Sequence, residues 1–260
     1  MQPLVRPGST TEQVGRLLVA VMVVMMLPAL PFGAFLVYPF VILTTWFHEM
    51  GHGMTALLLG QDFQRLQIFH DGSGVAQSKV EAGLSPFASA AIAAGGPLAP
   101  CAAGAALIMA SAHERLWRPA LYALSAVIFI SVIVYVRSAV GTFVLPVVAA
   151  GIALIAWRAP GAITRFTLQF LGVLGAFSML RDFNYLFAEQ AVINGQVMLS
   201  DTGQIEAALL LPHWVWAAVI LAICAVMVFG SLRYALSDRR RIGKPPKPPA
   251  NVLQFKSKKR

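Results

Sequence analysis

The sequence predicts an all-α membrane protein, a polytopic helical bundle of six to eight spans with one short β-hairpin. Three observations lead there. Of the 260 residues, 58% are hydrophobic and only 12% charged, whereas a soluble domain is about half apolar and about a quarter charged. The polar residues are too few to cover a water-exposed surface. The apolar residues also gather into runs long enough to cross hydrocarbon, which takes about 20 residues. Finally, one polar connection between runs alternates around a turn-forming group.

Seven candidate spans follow in order: 17–35, 37–60, 84–112, 117–136, 139–157, 163–181 and 212–232. The first two are separated at Pro31-Phe32-Gly33, a natural break. The first run is too long for a signal-peptide core and lacks a small-residue cleavage site, so no cleavable leader is expected. The third is long enough to contain a kink or a re-entrant piece at Gly95-Gly96-Pro97. Pro146 interrupts the fifth, as prolines in membrane helices do. The connection at 61–83 holds Leu66-Gln67-Ile68-Phe69-His70 and Gly74-Val75-Ala76-Gln77-Ser78 around Asp71-Gly72-Ser73, which predicts a hairpin over 66–78. The connection at 183–212 is polar, with Glu189, Asn194, Asp201 and Glu206, and reads as a loop.

Charge is unevenly placed. The chain carries a net +9, and ten of its twenty Lys and Arg residues lie from Arg233 to Arg260. The expected organisation is one bundle over 1–232 and a disordered basic tail over 233–260, attracted to anionic headgroups. No folded module accompanies that charge, so nucleic-acid binding is not expected. With seven spans the two ends lie on opposite faces. A cytoplasmic N-terminus then agrees with the remaining basic residues, six against four, but puts the tail outside. Cys101 and Cys224, the two cysteines, both sit in apolar runs. They read as packing residues and exclude a disulfide scaffold or a cysteine zinc cluster.

The segment with chemistry in it is Trp46-Phe47-His48-Glu49-Met50-Gly51-His52-Gly53-Met54. On a helix, His48 and His52 are separated by four residues, about 40° around the axis, so both imidazoles point one way. Two nitrogens on one face can hold one Zn²⁺. Glu49 lies on a neighbouring direction, placed to act as general base toward water on the metal without being a ligand. Ionisable groups inside an apolar span are costly to bury and mark function. Gly51 and Gly53 allow another backbone to come close.

With these residues the chain resembles the site-2 protease family of intramembrane zinc metalloproteases, in a divergent bacterial branch. The resemblance rests on His-Glu-Met-Gly-His within a span, the hairpin-like segment after it, and Ala94-Gly95-Gly96-Pro97-Leu98-Ala99-Pro100. It covers about 37–112 and, more weakly, 166–215, which implies a catalytic core of about 37–112 plus 163–232. It implies a third zinc ligand, an Asp on a later span, but the family's Leu-Asp-Gly signature is missing. At the corresponding place stands Ser178-Met179-Leu180-Arg181-Asp182-Phe183-Asn184-Tyr185. Asp182, at the end of an apolar span, is the expected ligand, with Arg181 and Asn184 orienting it. The alternative is Asp201 in Leu199-Ser200-Asp201-Thr202, expected on a loop, with Pro212 and Trp214 following as in divergent relatives.

The resemblance implies hydrolysis of peptide bonds in transmembrane protein substrates, with Zn²⁺ as cofactor. The expected location is a bacterial inner membrane, with the zinc toward the cytoplasm. An unwound substrate strand would add to the hairpin at Ile68, Phe69, His70 and Val75. The alternative is a non-proteolytic regulatory or binding membrane protein that retains a zinc site. A transporter lacks support, since no inverted repeat is visible. His70, His113 and His213 read as loop or interfacial residues, with His70 near substrate.

Overall fold

The computed structural model describes residues 10–81 and 83–237. Nine helices and two hairpins follow in order among these residues. They are α1 (Thr10–Met26), a 3-10 turn (Leu27–Ala29), α2 (Gly33–Leu58), β1 (Asp62–Ile68), β2 (Gly74–Lys79), α3 (Pro86–Ser111) and α4 (Glu114–Val134). Then come α5 (Ala139–Arg158), α6 (Gly161–Arg181), α7 (Phe183–Leu186), β3 (Gln190–Ile193), β4 (Gln196–Leu199), α8 (Asp201–Leu209) and α9 (His213–Ser237). Six helical stretches among the described residues are long and apolar enough to cross a membrane. α2 is as long as any of them, at 26 residues, and carries the two histidines and the glutamate. The protein is thus a multi-pass helical bundle, as composition demands. α9 continues to Ser237, through the first five residues of the expected tail; the rest of that tail, 238–260, lies outside the described residues.

Side-chain contacts establish which helix ends share a face. The Gln13 amide donates to the Ala235 carbonyl (2.9 Å) and accepts from Arg165 (3.0 Å). Arg165 Nε donates to the Ser111 carbonyl at 3.1 Å, and Arg118 donates to the carbonyls of Trp157 and Ala159. The starts of α1, α4 and α6 and the ends of α3, α5 and α9 therefore lie together. At the opposite face, Gln61 closing α2 accepts from the Glu81 amide just before α3 (2.8 Å). α1 and α2, joined through the turn at Leu27–Phe32, consequently make one net crossing between them. The described residues make six net crossings, and the start of α1 and the end of α9 share a face, where seven separate spans would have put them on opposite ones.

α3 is one continuous helix rather than a re-entrant piece, despite Pro97 and Pro100 within it. Its glycines serve contact. A Cβ at Gly95 would come 2.8 Å from the Gly51 carbonyl, so α2 and α3 touch backbone to backbone. Gly53, by contrast, makes room for the Phe63 ring rather than for a helix. Cys101 and Cys224 are buried free thiols in the cluster joining α3, α8 and α9, which agrees with the packing reading.

The first hairpin forms where expected and is longer, with Leu66 opposite Ala76 and Gln67 opposite Val75. Asp71 accepts from both the amide and the hydroxyl of Ser73, an Asx turn that also holds its carboxyl below the usual carboxylate range. One edge is already taken: the Leu66 amide donates to the Tyr135 carbonyl (2.9 Å), and the Leu66 carbonyl accepts from Arg137 (2.8 Å). In an antiparallel pair, residues bonded outward stand opposite residues that also face outward. Ala76 therefore presents its amide on the outer edge of β2.

Candidate metal centre

α2 runs through hydrophobic neighbours until Thr45, where polar contacts begin. The Thr45 hydroxyl donates to the Gly72 carbonyl at 2.6 Å, docking the hairpin turn one helical turn before Glu49. Gly74 opens β2 directly against that carboxylate: a Cβ there would come 2.9 Å from Glu49 Oε1. Glu49 itself is only 6% exposed.

His52 Nδ1 lies 2.8 Å from the Ile92 carbonyl of α3. A carbonyl only accepts, so Nδ1 carries the proton and Nε2 presents a lone pair. That lone pair faces a carboxylate, with His52 Nε2 3.2 Å from Asp201 Oδ1 and His48 Nε2 2.9 Å from Asp201 Oδ2. Asp201 is 2% exposed, and its Oδ2 has no hydrogen-bond partner despite the nearby His48 nitrogen, whose direction is wrong for one. Two electron-rich groups facing each other across a buried gap call for a positive charge between them, a proton or a metal ion. The spacing suits a metal ion. Ligands at about 2.0–2.1 Å in a tetrahedron are separated by roughly 3.3 Å. Gly96 forms the fourth wall, where an added Cβ would overlap both Nε2 atoms. The residues thus fit a divalent metal, with Glu49 beside the group and outside it.

Among the described residues, His48, His52 and Asp201 are the group of histidines, cysteines and acids converging closely enough to hold a metal ion. Asp182 does not belong to it. Asp182 follows the last residue of α6, Arg181, and lines a cavity of about 470 Å³ that also touches His48 and Glu49. Asn184 is exposed in α7. Asp182, ranked above Asp201 from the sequence, thus stands outside the converging group that Asp201 joins; the Arg181 side chain expected to orient it lies outside the described residues.

The reason is local. Asp201 was expected on a loose loop, yet it is the first residue of α8. Ser200 caps that helix, accepting from the Gly203 amide (3.1 Å) and donating to the Ala188 carbonyl (2.5 Å). Thr202 donates to the Leu186 carbonyl at 2.7 Å. Asp201 is thereby gripped on both sides, and Tyr185 lines the same cavity beside it.

The lead-in to α8 is a second hairpin, β3–β4, turned by Asn194 and Gly195 at positive φ (49° and 77°). Asn-Gly between apolar strands is the strongest short hairpin signal. Gln190-Ala191-Val192-Ile193-Asn194-Gly195-Gln196-Val197-Met198-Leu199 carried that signal within a stretch read as loop.

Of the four residues expected to meet substrate, Val75 lines a second cavity of about 240 Å³, together with Glu49, His52 and Asp201. Ile68 is 1% exposed in the core and its amide is bonded to the Ser138 hydroxyl. The Phe69 amide closes the turn onto Ser73, and His70 is exposed beside that turn. Both cavities reach Glu49, Tyr185 and Ile193. The two cavities thus flank the metal group, each lined by residues of both hairpins.

A family model described as Peptidase M50B-like matches residues 16–231. No curated protein and no solved structure matches the chain.

Proposed function

The chain belongs to the Peptidase M50B-like family, the site-2 protease family of membrane metallopeptidases, and on that premise we propose that it is an intramembrane zinc metalloprotease. The observation that carries this reading is the convergence of two imidazole nitrogens and one buried carboxylate beside Glu49. His48, His52 and Asp201 would hold Zn²⁺, leaving one position open, as catalytic zinc sites do. The metal, when bound, polarises the scissile carbonyl and acidifies water. Glu49 removes the proton from the attacking water and returns it to the leaving amine. The Ile92 carbonyl holds His52 in position, and the bonds of Ser200 and Thr202 on either side hold Asp201. The protein is an integral multi-pass one; a bacterial inner membrane is the setting we propose.

Glu49→Gln keeps the side-chain shape and removes the base. Cleavage should fall by about 10²–10⁴-fold, the usual contribution of a general base, with zinc content unchanged. Undiminished cleavage would leave the non-proteolytic reading.

The substrate strand is proposed to lie between the hairpins, adding to the outer edge of β2 at Ala76, beside Glu49, rather than at Ile68, whose amide is bonded to Ser138. Ala76→Pro removes that outward donor without breaking the pair to Leu66. We expect a raised KM with zinc retained. The Ala76 amide also faces Glu49, so a fall in kcat at constant KM would assign it to the base instead.

A further inference from the structure

The metal group sits near one end of the bundle. On α3, Ile92, which holds His52, is six residues past Pro86 and nineteen before Ser111. At 1.5 Å per residue those are about 9 Å and about 28 Å. Both hairpins, α7 and α8 lie at that same end, since they lead into or out of it. The opposite end gathers the starts of α1, α4 and α6 and the ends of α3, α5 and α9.

Among the described residues, Arg16, Arg115, Arg118, Arg158, Arg165 and Arg233 belong to the second end. In the sequence Arg6 precedes the helix that starts there, and nine further Lys and Arg residues follow the helix that ends there. Arg115, Arg118, Arg158 and Arg233 are exposed there. The end holding the metal group has four, Arg65, Lys79, Arg137 and Arg181. It also carries six acids besides Glu49 and Asp201, namely Asp62, Asp71, Glu81, Asp182, Glu189 and Glu206. Basic residues of short connections and ends stay on the cytoplasmic side, where the leaflet is anionic. The segment beyond Ser237 has no apolar run of about 20 residues with which to cross back.

We propose that the basic face lies on the cytoplasmic leaflet, so that the His48–His52–Asp201 centre and its two hairpins open on the opposite, non-cytoplasmic side. The substrates are then membrane proteins whose scissile segment emerges from the outer half of the bilayer. This assignment of substrate class rests on the protease reading; the orientation itself does not. It reverses the cytoplasmic placement implied by the family resemblance. It also removes the conflict between the N-terminus and the tail, because six net crossings put both on one face.

Single cysteines at two exposed positions, Glu81→Cys and Arg115→Cys, test it in the full chain. Cys101 and Cys224 are buried, and the unaltered chain serves as blank for a charged, membrane-impermeant maleimide. In intact cells Glu81→Cys should label at least about tenfold more than Arg115→Cys, with the two equal after permeabilisation. A fluorescent protein that folds only in cytoplasm, fused after Arg260, should fluoresce. Preferential labelling of Arg115→Cys, equal labelling of both in intact cells, or a dark fusion would overturn the orientation. None of these readouts depends on zinc or on cleavage, so a failed orientation leaves the protease reading standing, and the reverse holds too.

Discussion

Asp201→Ala should strip the metal and abolish hydrolysis, while Asp182→Ala retains both. Asp201 supplies the only carboxylate in the converging group among the described residues. Without it, two neutral imidazoles would face a divalent charge in a buried site with only the non-ligating Glu49 nearby to offset it. The loss of zinc affinity should exceed the roughly 10–100-fold that losing an outer partner of a ligand costs. Asp182 borders the larger cavity beside His48 and Glu49, so its removal should alter cleavage by a few-fold at most. Zinc analysis of the two purified variants, side by side with cleavage of one substrate, decides the matter. Loss of metal from Asp182→Ala with retention in Asp201→Ala would hand the role back to Asp182.

Gly96→Ala should separate stability from function. Alanine is favoured over glycine inside a helix by about 1 kcal/mol, so α3 alone would gain. The new Cβ would nonetheless overlap the Nε2 atoms of both histidines. His52 cannot swing away without breaking its bond to the Ile92 carbonyl. The expected variant is folded and has lost zinc and cleavage together. Gly151→Ala in α5 is the matched control, since a Cβ there meets nothing within 4 Å. It should gain the same propensity and keep full zinc content. Full zinc content in Gly96→Ala would show that α3 does not form the wall of the site.

The sequence by itself determined the membrane setting, the helical class, the first hairpin and the pair of histidines with their glutamate. Each of these is local. An HExxH spacing puts both imidazoles on one helix face whatever surrounds it, and Asp-Gly-Ser makes a turn without outside help. The second hairpin was equally local, announced by Asn194-Gly195, and Ser200 with Thr202 marked the start of a helix at Asp201. What needed the tertiary structure was the choice between Asp182 and Asp201. Both are acids following apolar segments, and no property of either position states which one reaches His48. That depends on α7 and the second hairpin carrying the chain from the end of α6 back over the site, and on the Ala188 and Leu186 carbonyls that fix Ser200 and Thr202. The number of net crossings was likewise unreadable. Two apolar runs look like two crossings by composition, and only the contact of Gln13 with Arg165 and Ala235 shows that α1 and α2 count as one.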